Sequence, residues 1–395
     1  MLTVVIPTYW TRPIGAPAKR EDLVFDHPTP LDGSDTLTKT LESLKRITAD
    51  IQVVVVTATV HHELDEAVES KIAELIDPFK KQYPILQFAA SDLAFIRSRL
   101  ELQGLDPRDV SLDGYSAIRN CQLLVPLLLN SEVVAAIDDD ELVDPDFADK
   151  AVEFIGKELN GRLIDGIAGR YFYEWGSYRV REPQNARTAE NLFDRKHVLQ
   201  NDSYDLFDKR EGRVVDTTIT LGGNMVFSRE LLKNIPFDPV ITRGEDIDYL
   251  INSKMYGYRW QLDKELIIYH YPPPCNPTNK LREDVIRFFY EKRKIELSIL
   301  RDDVQTLSEE NFKPYPGEFF SPRLEADATE ALHKKQSSSK NSKFSQTPQE
   351  IIEEAKSRAN SAENYFAYVQ RWKQITTALS SDLPSQEYFL KKLKT

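Results

Sequence analysis

Apolar runs and amphipathic segments alternate along the N-terminal part of the chain. Residues 2–6, 51–56 and 133–137 are runs dominated by β-branched side chains, which is typical of strands buried on both faces. Residues 37–44 place three leucines on one helical face. Residues 117–129 predict a further helix, which Pro126 should kink or end. This alternation predicts an α/β fold, Rossmann-like, with a mostly parallel central sheet and flanking helices.

Two later regions have a different pattern. Short strands are predicted at 166–173, 219–222 and 224–227, before a turn at Gly244 and a last strand at 266–269. Beyond residue 276 the pattern is mainly helical. The sequence therefore predicts a catalytic domain at 1–275 and a helical C-terminal extension at 276–395. The extension contains a Lys- and Ser-rich segment near 334–346 that we expect to be mobile, and its helices offer a surface for a homo-oligomer.

A long polar segment follows the first strand, which Pro7 should end. This segment, residues 11–35, is rich in Pro and Gly and is called the insertion below. Loops of this length in compact domains are usually functional or disordered.

Candidate chemistry lies where the predicted strands end. Pro7-Thr8-Tyr9 follows the first strand, and Asp138-Asp139-Asp140 follows the strand at 133–137. In sheets of this kind, ligands bind beyond the carboxyl ends of the strands. Three crowded carboxylates repel one another, and a divalent cation such as Mg²⁺ or Mn²⁺ resolves that repulsion. The alternative is a solvated acidic loop before a helix.

Other polar residues are individually weak signals. His270 ends the strand at 266–269 and is either a metal ligand or a structural histidine. Glu245 and Asp246 follow Gly244, where acidic side chains suit a helix N-terminus or supply a general base. Arg119 either binds phosphate or pairs with a carboxylate. The glycine pair at 222–223 permits close backbone approach to a ligand or forms a bulge.

Composition and charge narrow the partners. The formal net charge is −12 and the pI is about 5.2, so neither nucleic acid nor an anionic membrane is expected as the main partner. Cys121 and Cys275 cannot form a disulfide framework. The longest apolar run is too short to span a membrane. We therefore expect a cytoplasmic protein without a transmembrane segment.

In chain order, these motifs resemble the family 2 glycosyltransferases, which have the GT-A fold. The resemblance covers roughly residues 1–275. The matching segments are Val4-Val5-Ile6-Pro7-Thr8-Tyr9, Thr36-Leu37 with Leu41 and Ser43-Leu44, Gly114 with Ala117-Ile118-Arg119-Asn120, Ile137-Asp138-Asp139-Asp140 with Pro145, Gly222-Gly223-Asn224-Met225, Pro236-Phe237-Asp238, Gly244-Glu245-Asp246-Ile247-Asp248, Gly257 and His270.

The resemblance implies transfer of a sugar from a nucleotide-sugar donor to an acceptor hydroxyl on a small molecule, a glycan or a lipid-linked acceptor. Asp138 and Asp140 would form the D-x-D motif, with Asp140 the more direct ligand of Mn²⁺ or Mg²⁺ and His270 an extra ligand. Asp246 would be the base, within an E-D motif that begins at Glu245. The residues implied in binding the nucleotide or donor are Pro7, Thr8, Tyr9, Arg119, Asp138, Asp139, Gly222 and Gly223.

Several features depart from that family. Thr57-Ala58-Thr59 stands where an acidic residue usually reads the base or ribose, Trp10 stands where Asn is common, and the insertion is unusually long. The Gln-x-x-Arg-Trp motif of processive synthases is absent, which favours a non-processive enzyme.

Two other functions remain open from the sequence. A sugar-1-phosphate nucleotidyltransferase has a related sheet and also uses metal-bound carboxylates. Proteins of that class carry a glycine-rich loop after the first strand, which this chain lacks. A non-catalytic binding protein is the other alternative. Its interface would use aromatic side chains of the C-terminal helices, which are equally consistent with a core: Tyr365, Phe366, Tyr368 and Trp372.

Overall fold

The structure is a computed structural model that describes residues 1–17, 19–273, 280–338 and 346–394. Cys275 and the predicted domain boundary near residue 275 lie outside the described residues, and the division into two domains stays a prediction. The Lys- and Ser-rich segment is described in part. Its first residues continue a helix as far as Ser338, whereas residues 339–345 lie outside the described ranges.

Strands and helices alternate as the apolar runs predict. The strands are β1 (Leu2–Thr11), β2 (Thr29–Pro30), β3 (Ile51–Thr59), β4 (Ile85–Phe88), β5 (Val133–Ala136), β6 (Glu141–Val143), β7 (Glu158–Leu159), β8 (Arg162–Leu163), β9 (Gly166–Tyr173), β10 (Val214–Asp216), β11 (Met225–Ser228) and β12 (Trp260–His270). The α-helices are α1 (Leu37–Leu44), α2 (Asp65–Ile76), α3 (Ala90–Leu102), α4 (Tyr115–Leu128), α5 (Phe147–Glu153), α6 (Lys196–Lys209), α7 (Arg229–Asn234), α8 (Glu245–Met255), α9 (Lys280–Ser298), α10 (Leu324–Ser338), α11 (Pro348–Ala359), α12 (Asn364–Ser381) and α13 (Leu383–Lys394).

One large sheet forms the centre of the fold, in the order β10-β12-β9-β11-β5-β1-β3-β4. The strands β4, β3, β1 and β5 are parallel to one another, and β9 is parallel to β12. Between these two halves lies β11, which is antiparallel to both β5 and β9. The predicted fold class is therefore confirmed: a mostly parallel sheet with flanking helices, followed by a helical C-terminal region.

Apolar side chains of the central strands alternate between two cores. Val4 and Val53 belong to the core on one face of the sheet, whereas Val5 and Val54 belong to the core on the other face. All four side chains have no exposed surface. A strand that is covered on both faces needs apolar residues at successive positions, which explains the continuous runs in the sequence.

Pro7 does not end β1, contrary to the prediction. The strand continues to Thr11, and Pro7 lies opposite Val56 of β3. The pairing of β1 with β5 ends at Val5, so the N–H that Pro7 lacks lies beyond that ladder. As a result, β1 carries Thr8 to the carboxyl edge of the sheet within a regular strand.

The strand predicted at 219–222 is also wrong. This segment makes no ladder, and its end forms a turn closed by a 2.7 Å hydrogen bond from the N–H of Asn224 to the C=O of Leu221. The N–H groups of Gly222 and Gly223 donate to the side chains of Asp246 and Tyr171 instead of to a neighbouring strand.

The C-terminal helices pack on the same core as the sheet. The indole Nε1 of Trp372 in α12 donates to the carbonyl of Leu232 in α7 at 3.0 Å, and Phe389 in α13 packs on Phe88 of β4. The aromatic side chains that were considered for a partner surface are core residues, with exposed fractions of 5% or less: Tyr365, Phe366, Tyr368 and Trp372. Within the described ranges, the helices lack the length and apolar character needed to cross a bilayer.

This packing predicts that α12 is essential for the stability of the whole chain. Trp372→Ala should lower the free energy of unfolding by about 3–5 kcal/mol, because it leaves a cavity and removes the bond to Leu232. Gln374→Ala, at an exposed position of the same helix, should change it by less than ~0.5 kcal/mol. Urea unfolding measures both values, and equal small changes would contradict the packing.

Candidate metal and donor site

The acidic run at residues 138–141 follows β5 at the carboxyl edge of the sheet and ends at Glu141, the first residue of β6. Asp139, Asp140 and Glu141 are nearly fully buried, with exposed fractions of 7%, 5% and 0%. Burying an ionised carboxylate without a partner is costly, so each of these side chains requires compensation. Each of the four carboxylates has a different set of partners.

Arg119 links two of the predicted motifs. Its Nη1 lies 2.9 Å from Oδ1 of Asp138, and its Nε lies 3.3 Å from Oε1 of Glu245. The guanidinium is buried, and a Cβ at Gly222 would lie only 2.5 Å from its Nη2. Glycine at position 222 therefore makes room for Arg119. These four predicted site residues form one contact group.

Asp246 lies at the start of α8, directly after Glu245. Its Oδ2 accepts a hydrogen bond from the N–H of Gly222 at 3.0 Å, and its Oδ1 accepts one from the N–H of Ile247 at 2.7 Å. Burial raises the pKa of both Asp246 and Glu245. Asp246 is only half-buried, so it is a fixed and accessible carboxylate with a raised pKa, as a general base requires.

Glu141 was missed by the sequence analysis, in which its only signal was a fourth acidic residue after the triplet. Its Oε2 accepts a hydrogen bond from the N–H of Asp138 at 2.7 Å, and its Oε1 has no partner in the described structure. A Cβ at Gly223 would lie 2.3 Å from the Glu141 carboxylate. Position 223 therefore requires glycine, because any larger residue would overlap this carboxylate. Burial also raises the pKa of Glu141 above its usual range.

Asp140 lies between two imidazoles. His27 Nε2 lies 2.9 Å from Oδ2 of Asp140, and His270 Nε2 lies 3.6 Å from the same oxygen. Burial by itself raises the pKa of the Asp140 carboxyl, but hydrogen bonds and positive charge from the two histidines outweigh it and lower the pKa below its usual range.

Three of these side chains form a candidate cation site. One ligand atom each from Asp140, Glu141 and His270 lie within 4.8 Å of one another. Two carboxylates and an imidazole suit Mn²⁺, and the Oε1 atom of Glu141, which accepts no hydrogen bond of good geometry in the described structure, is available as a metal ligand. This donor set fits the divalent cation that the sequence predicts. Asp138, which was also predicted as a ligand, pairs with Arg119 in this structure, so its metal role stays a prediction.

The end of β1 contacts the acidic run through Thr8. Its Oγ1 donates to Oδ2 of Asp139 at 2.6 Å and accepts from the indole Nε1 of Trp10 at 2.9 Å. Burial and the neighbouring charge of Asp140 raise the pKa of Asp139 to about 7. Asp139 is therefore held within the protein. Pro7, which precedes Thr8, lies opposite Val56 inside the sheet.

The insertion covers this edge of the sheet. Phe25 is 2% exposed and packs against Tyr9 and Tyr115, with ring centroids 4.4 and 5.1 Å away. Asp26 pairs with Arg243 at 2.8 Å, and its backbone N–H donates to the Tyr115 hydroxyl. The insertion thus packs against this edge of the sheet through Phe25 and Asp26.

A cavity of about 430 Å³ opens at the carboxyl end of β3. Its walls include Thr57 and Thr59 of β3, Asp65 of α2 and Arg97 of α3. The Thr59 hydroxyl donates to the Asp65 carboxylate. Thr57 lies opposite Thr8 of β1, which contacts Asp139 as described above, so the cavity is one strand away from the acidic run.

The helix α9 of the C-terminal region packs against α8 through two buried basic side chains. Lys294 of α9 is fully buried and forms ion pairs with Asp238 and Asp248. Arg287, also of α9, lies against Gly244, where any Cβ would overlap its guanidinium. Gly244 has a φ of +72°, which also favours glycine. Residues of the predicted extension therefore hold the start of the helix that carries Glu245.

Comparisons with known proteins give a likeness of fold only. No protein-family model and no curated protein matches the chain. Solved structures that are similar include the mannosyltransferase PcManGT from Pyrobaculum calidifontis with GDP-Man and Mn²⁺, at 15% identity and a TM-score of 0.44, covering 98% of this chain and 86% of that chain. GalNAc-T7 with UDP, GalNAc and Mn²⁺ is similar at 14% identity and a TM-score of 0.43, covering 83% and 57%. A mycobacterial protein is similar at 15% identity and a TM-score of 0.34, covering 76% and 73%.

Glu291 of α9 provides a test of the buried charges behind the site. Neither carboxylate oxygen has a hydrogen-bond partner in the described structure, and burial raises its pKa from 4.5 to about 8. The unfolded chain therefore releases this proton at lower pH than the folded chain. The contribution of Glu291 to the free energy of unfolding should be highest below pH 4.5, fall up to pH 8 and then level off.

Glu291→Gln should remove most of that fall, on the order of a few kcal/mol, because glutamine resembles the neutral acid. Urea unfolding of wild type and variant at pH 5 and pH 8 measures the difference. Glu74→Gln, at an exposed position of α2, should keep the wild-type pH dependence. An equal fall in wild type and Glu291→Gln would show that Glu291 is ionised in the folded protein.

Proposed function

We propose that the chain is a glycosyltransferase that moves a sugar from a nucleotide-sugar donor to an acceptor hydroxyl, with a divalent cation on the donor diphosphate. The observation that carries the proposal is the convergence of Asp140, Glu141 and His270 at the sheet edge where Arg119 and the start of α8 also lie. Oxygen-rich sites of this kind commonly bind Mn²⁺ or Mg²⁺ together with substrate phosphates.

Each of the side chains at this edge of the sheet has a separate proposed role in the reaction. A cation bound by Asp140 and His270 would offset the negative charge that develops on the diphosphate. Arg119 supplies a buried, permanently positive guanidinium beside the same acidic run. Asp246 is the proposed base, because its carboxylate is fixed by two backbone amides and remains accessible.

The proposed reaction is a single displacement. The acceptor oxygen forms a bond to the anomeric carbon of the donor sugar while the bond from that carbon to the diphosphate oxygen breaks. The hydroxyl proton passes to Asp246, and the nucleoside diphosphate leaves with the bonding electrons. Thr57 and Thr59 lie in the cavity beside β1, where we propose that the nucleoside binds.

Asp65 is the proposed replacement for the acidic residue that the segment Thr57-Ala58-Thr59 lacks. Although it lies in α2, it is hydrogen-bonded by Thr59 and lines the same cavity. A carboxylate at this position can accept hydrogen bonds from a base or from ribose hydroxyls.

Asp140→Asn tests the cation site. In wild type, Mn²⁺ together with a nucleoside diphosphate should raise the melting temperature, because ligands that bind only the folded state stabilise it. The variant should lose this increase and lose at least ~10³-fold in kcat/KM, since charge neutralisation by a metal contributes several kcal/mol. Asp302→Asn, at an exposed position, should behave as wild type.

These melting-temperature and turnover measurements use uridine and guanosine diphosphates and the corresponding nucleotide sugars, each with and without Mn²⁺. Unchanged turnover in Asp140→Asn would refute the proposal. Release of pyrophosphate from a nucleoside triphosphate and a sugar phosphate would indicate a nucleotidyltransferase instead. Absence of any nucleotide binding with Mn²⁺ present would favour a non-catalytic protein.

Asp65→Asn tests the nucleoside pocket. The KM for the donor should rise roughly 10-fold or more, the cost of a lost hydrogen bond to a charged group, while kcat stays within about twofold. Steady-state kinetics measure both constants. Asp77→Asn, an exposed carboxylate just after α2, is the matched control. An unchanged KM, or a fall in kcat alone, would place the nucleoside elsewhere.

A further inference from the structure

His27 brings the insertion into direct contact with the candidate cation site. Its Nε2 lies 2.9 Å from Oδ2 of Asp140, closer than the 3.6 Å from His270 Nε2 to the same oxygen. Nothing in the sequence motifs marked this histidine, because it lies in the irregular segment between β1 and α1.

The distance from His27 to Asp140 fits two neighbouring ligands around one cation. Ligand atoms that bind Mg²⁺ lie ~2.1 Å from the ion, so two adjacent ligands of an octahedral site are ~3 Å apart. The His27 separation from Asp140, 2.9 Å, matches this value, and the His270 separation is longer at 3.6 Å. Glu141 adds a buried oxygen without a hydrogen-bond partner in the described structure. The ligand atoms of Asp140, Glu141 and His270 lie within 4.8 Å of one another, and His27 adjoins this cluster through its 2.9 Å contact with Asp140.

The position of His27 is fixed by contacts that do not involve Asp140. Phe25 is buried between Tyr9 and Tyr115, and Asp26 is held by the ion pair to Arg243. These contacts immediately precede His27 in the chain. A ligand that is held in place before the ion arrives loses little conformational entropy on binding.

We infer that His27 is a further ligand of the divalent cation proposed at Asp140, so that the insertion completes the cation site. This inference rests on the proposed function, because that function requires the cation. It makes the insertion part of the cation site and adds a second imidazole to the ligand set.

The test counts the nitrogen atoms bound to Mn²⁺ in the full-length protein. Metal-free protein is loaded with Mn²⁺ alone, and pulsed electron paramagnetic resonance detects the ¹⁴N couplings of directly bound imidazoles. Wild type should show two bound nitrogens, and His27→Gln and His270→Gln should each show one. His333→Gln, which removes an exposed histidine of α10, should retain two.

A titration of free Mn²⁺ by its aqueous resonance gives the affinity in the same samples. His27→Gln should weaken binding by at least ~10-fold, since the loss of even an outer-shell partner of a metal ligand costs 10–100-fold. A single nitrogen in wild type, or an unchanged nitrogen count in His27→Gln, would overturn the inference while leaving the proposed function standing. Because wild type alone gives a decisive count, the test does not depend on the folding of any variant.

No binding of Mn²⁺ by wild type would overturn both the inference and the cation in the proposed function. Weaker Mn²⁺ binding in His27→Gln with an unchanged nitrogen count would make His27 a hydrogen-bond partner of Asp140 and not a ligand.

Discussion

Four consecutive carboxylates at the end of a buried strand impose the main physical constraint on this structure. Because Asp139, Asp140 and Glu141 are largely removed from water and Asp138 is partly so, the surrounding elements must supply donors and positive charge at fixed positions. Arg119 comes from α4, Thr8 from β1, and His270 from β12. The partners are distant in the sequence, so the site exists only when the sheet and its flanking helices are assembled.

The same constraint explains features that would otherwise look unrelated. The glycine pair after residue 221 lies where side chains would overlap Arg119 and Glu141, so the backbone turn is shaped by the charged groups that it borders. The C-terminal helices act in the same way at longer range. Through Arg287 and Lys294, α9 places buried positive charge behind α8, and this helix in turn presents Asp246. The helix α9 therefore helps to position the start of α8.

Much of the fold could be predicted from the sequence, because strands buried on both faces require continuous apolar runs and helices require periodic ones. The nearness of His270 to Asp140 follows from the strand ends, and pairing of Arg119 with a carboxylate was one of the two alternatives that the sequence left open. Glu141 and His27 could not be found in this way. Glu141 is a candidate ligand only because its carboxylate is fully buried beside Asp140, and a residue pattern does not reveal burial. His27 lies in an irregular insertion whose path is set by tertiary contacts, such as that of Phe25 with Tyr9.

The central claim is that Asp140 holds a divalent cation on a nucleoside diphosphate. Crystals grown with Mn²⁺ and a nucleoside diphosphate, measured by anomalous diffraction at the manganese edge, test it most directly. The account predicts a manganese peak ~2.2 Å from a carboxylate oxygen of Asp140 and from Nε2 of His270, in contact with the diphosphate. A bound diphosphate with no manganese beside Asp140 would contradict it.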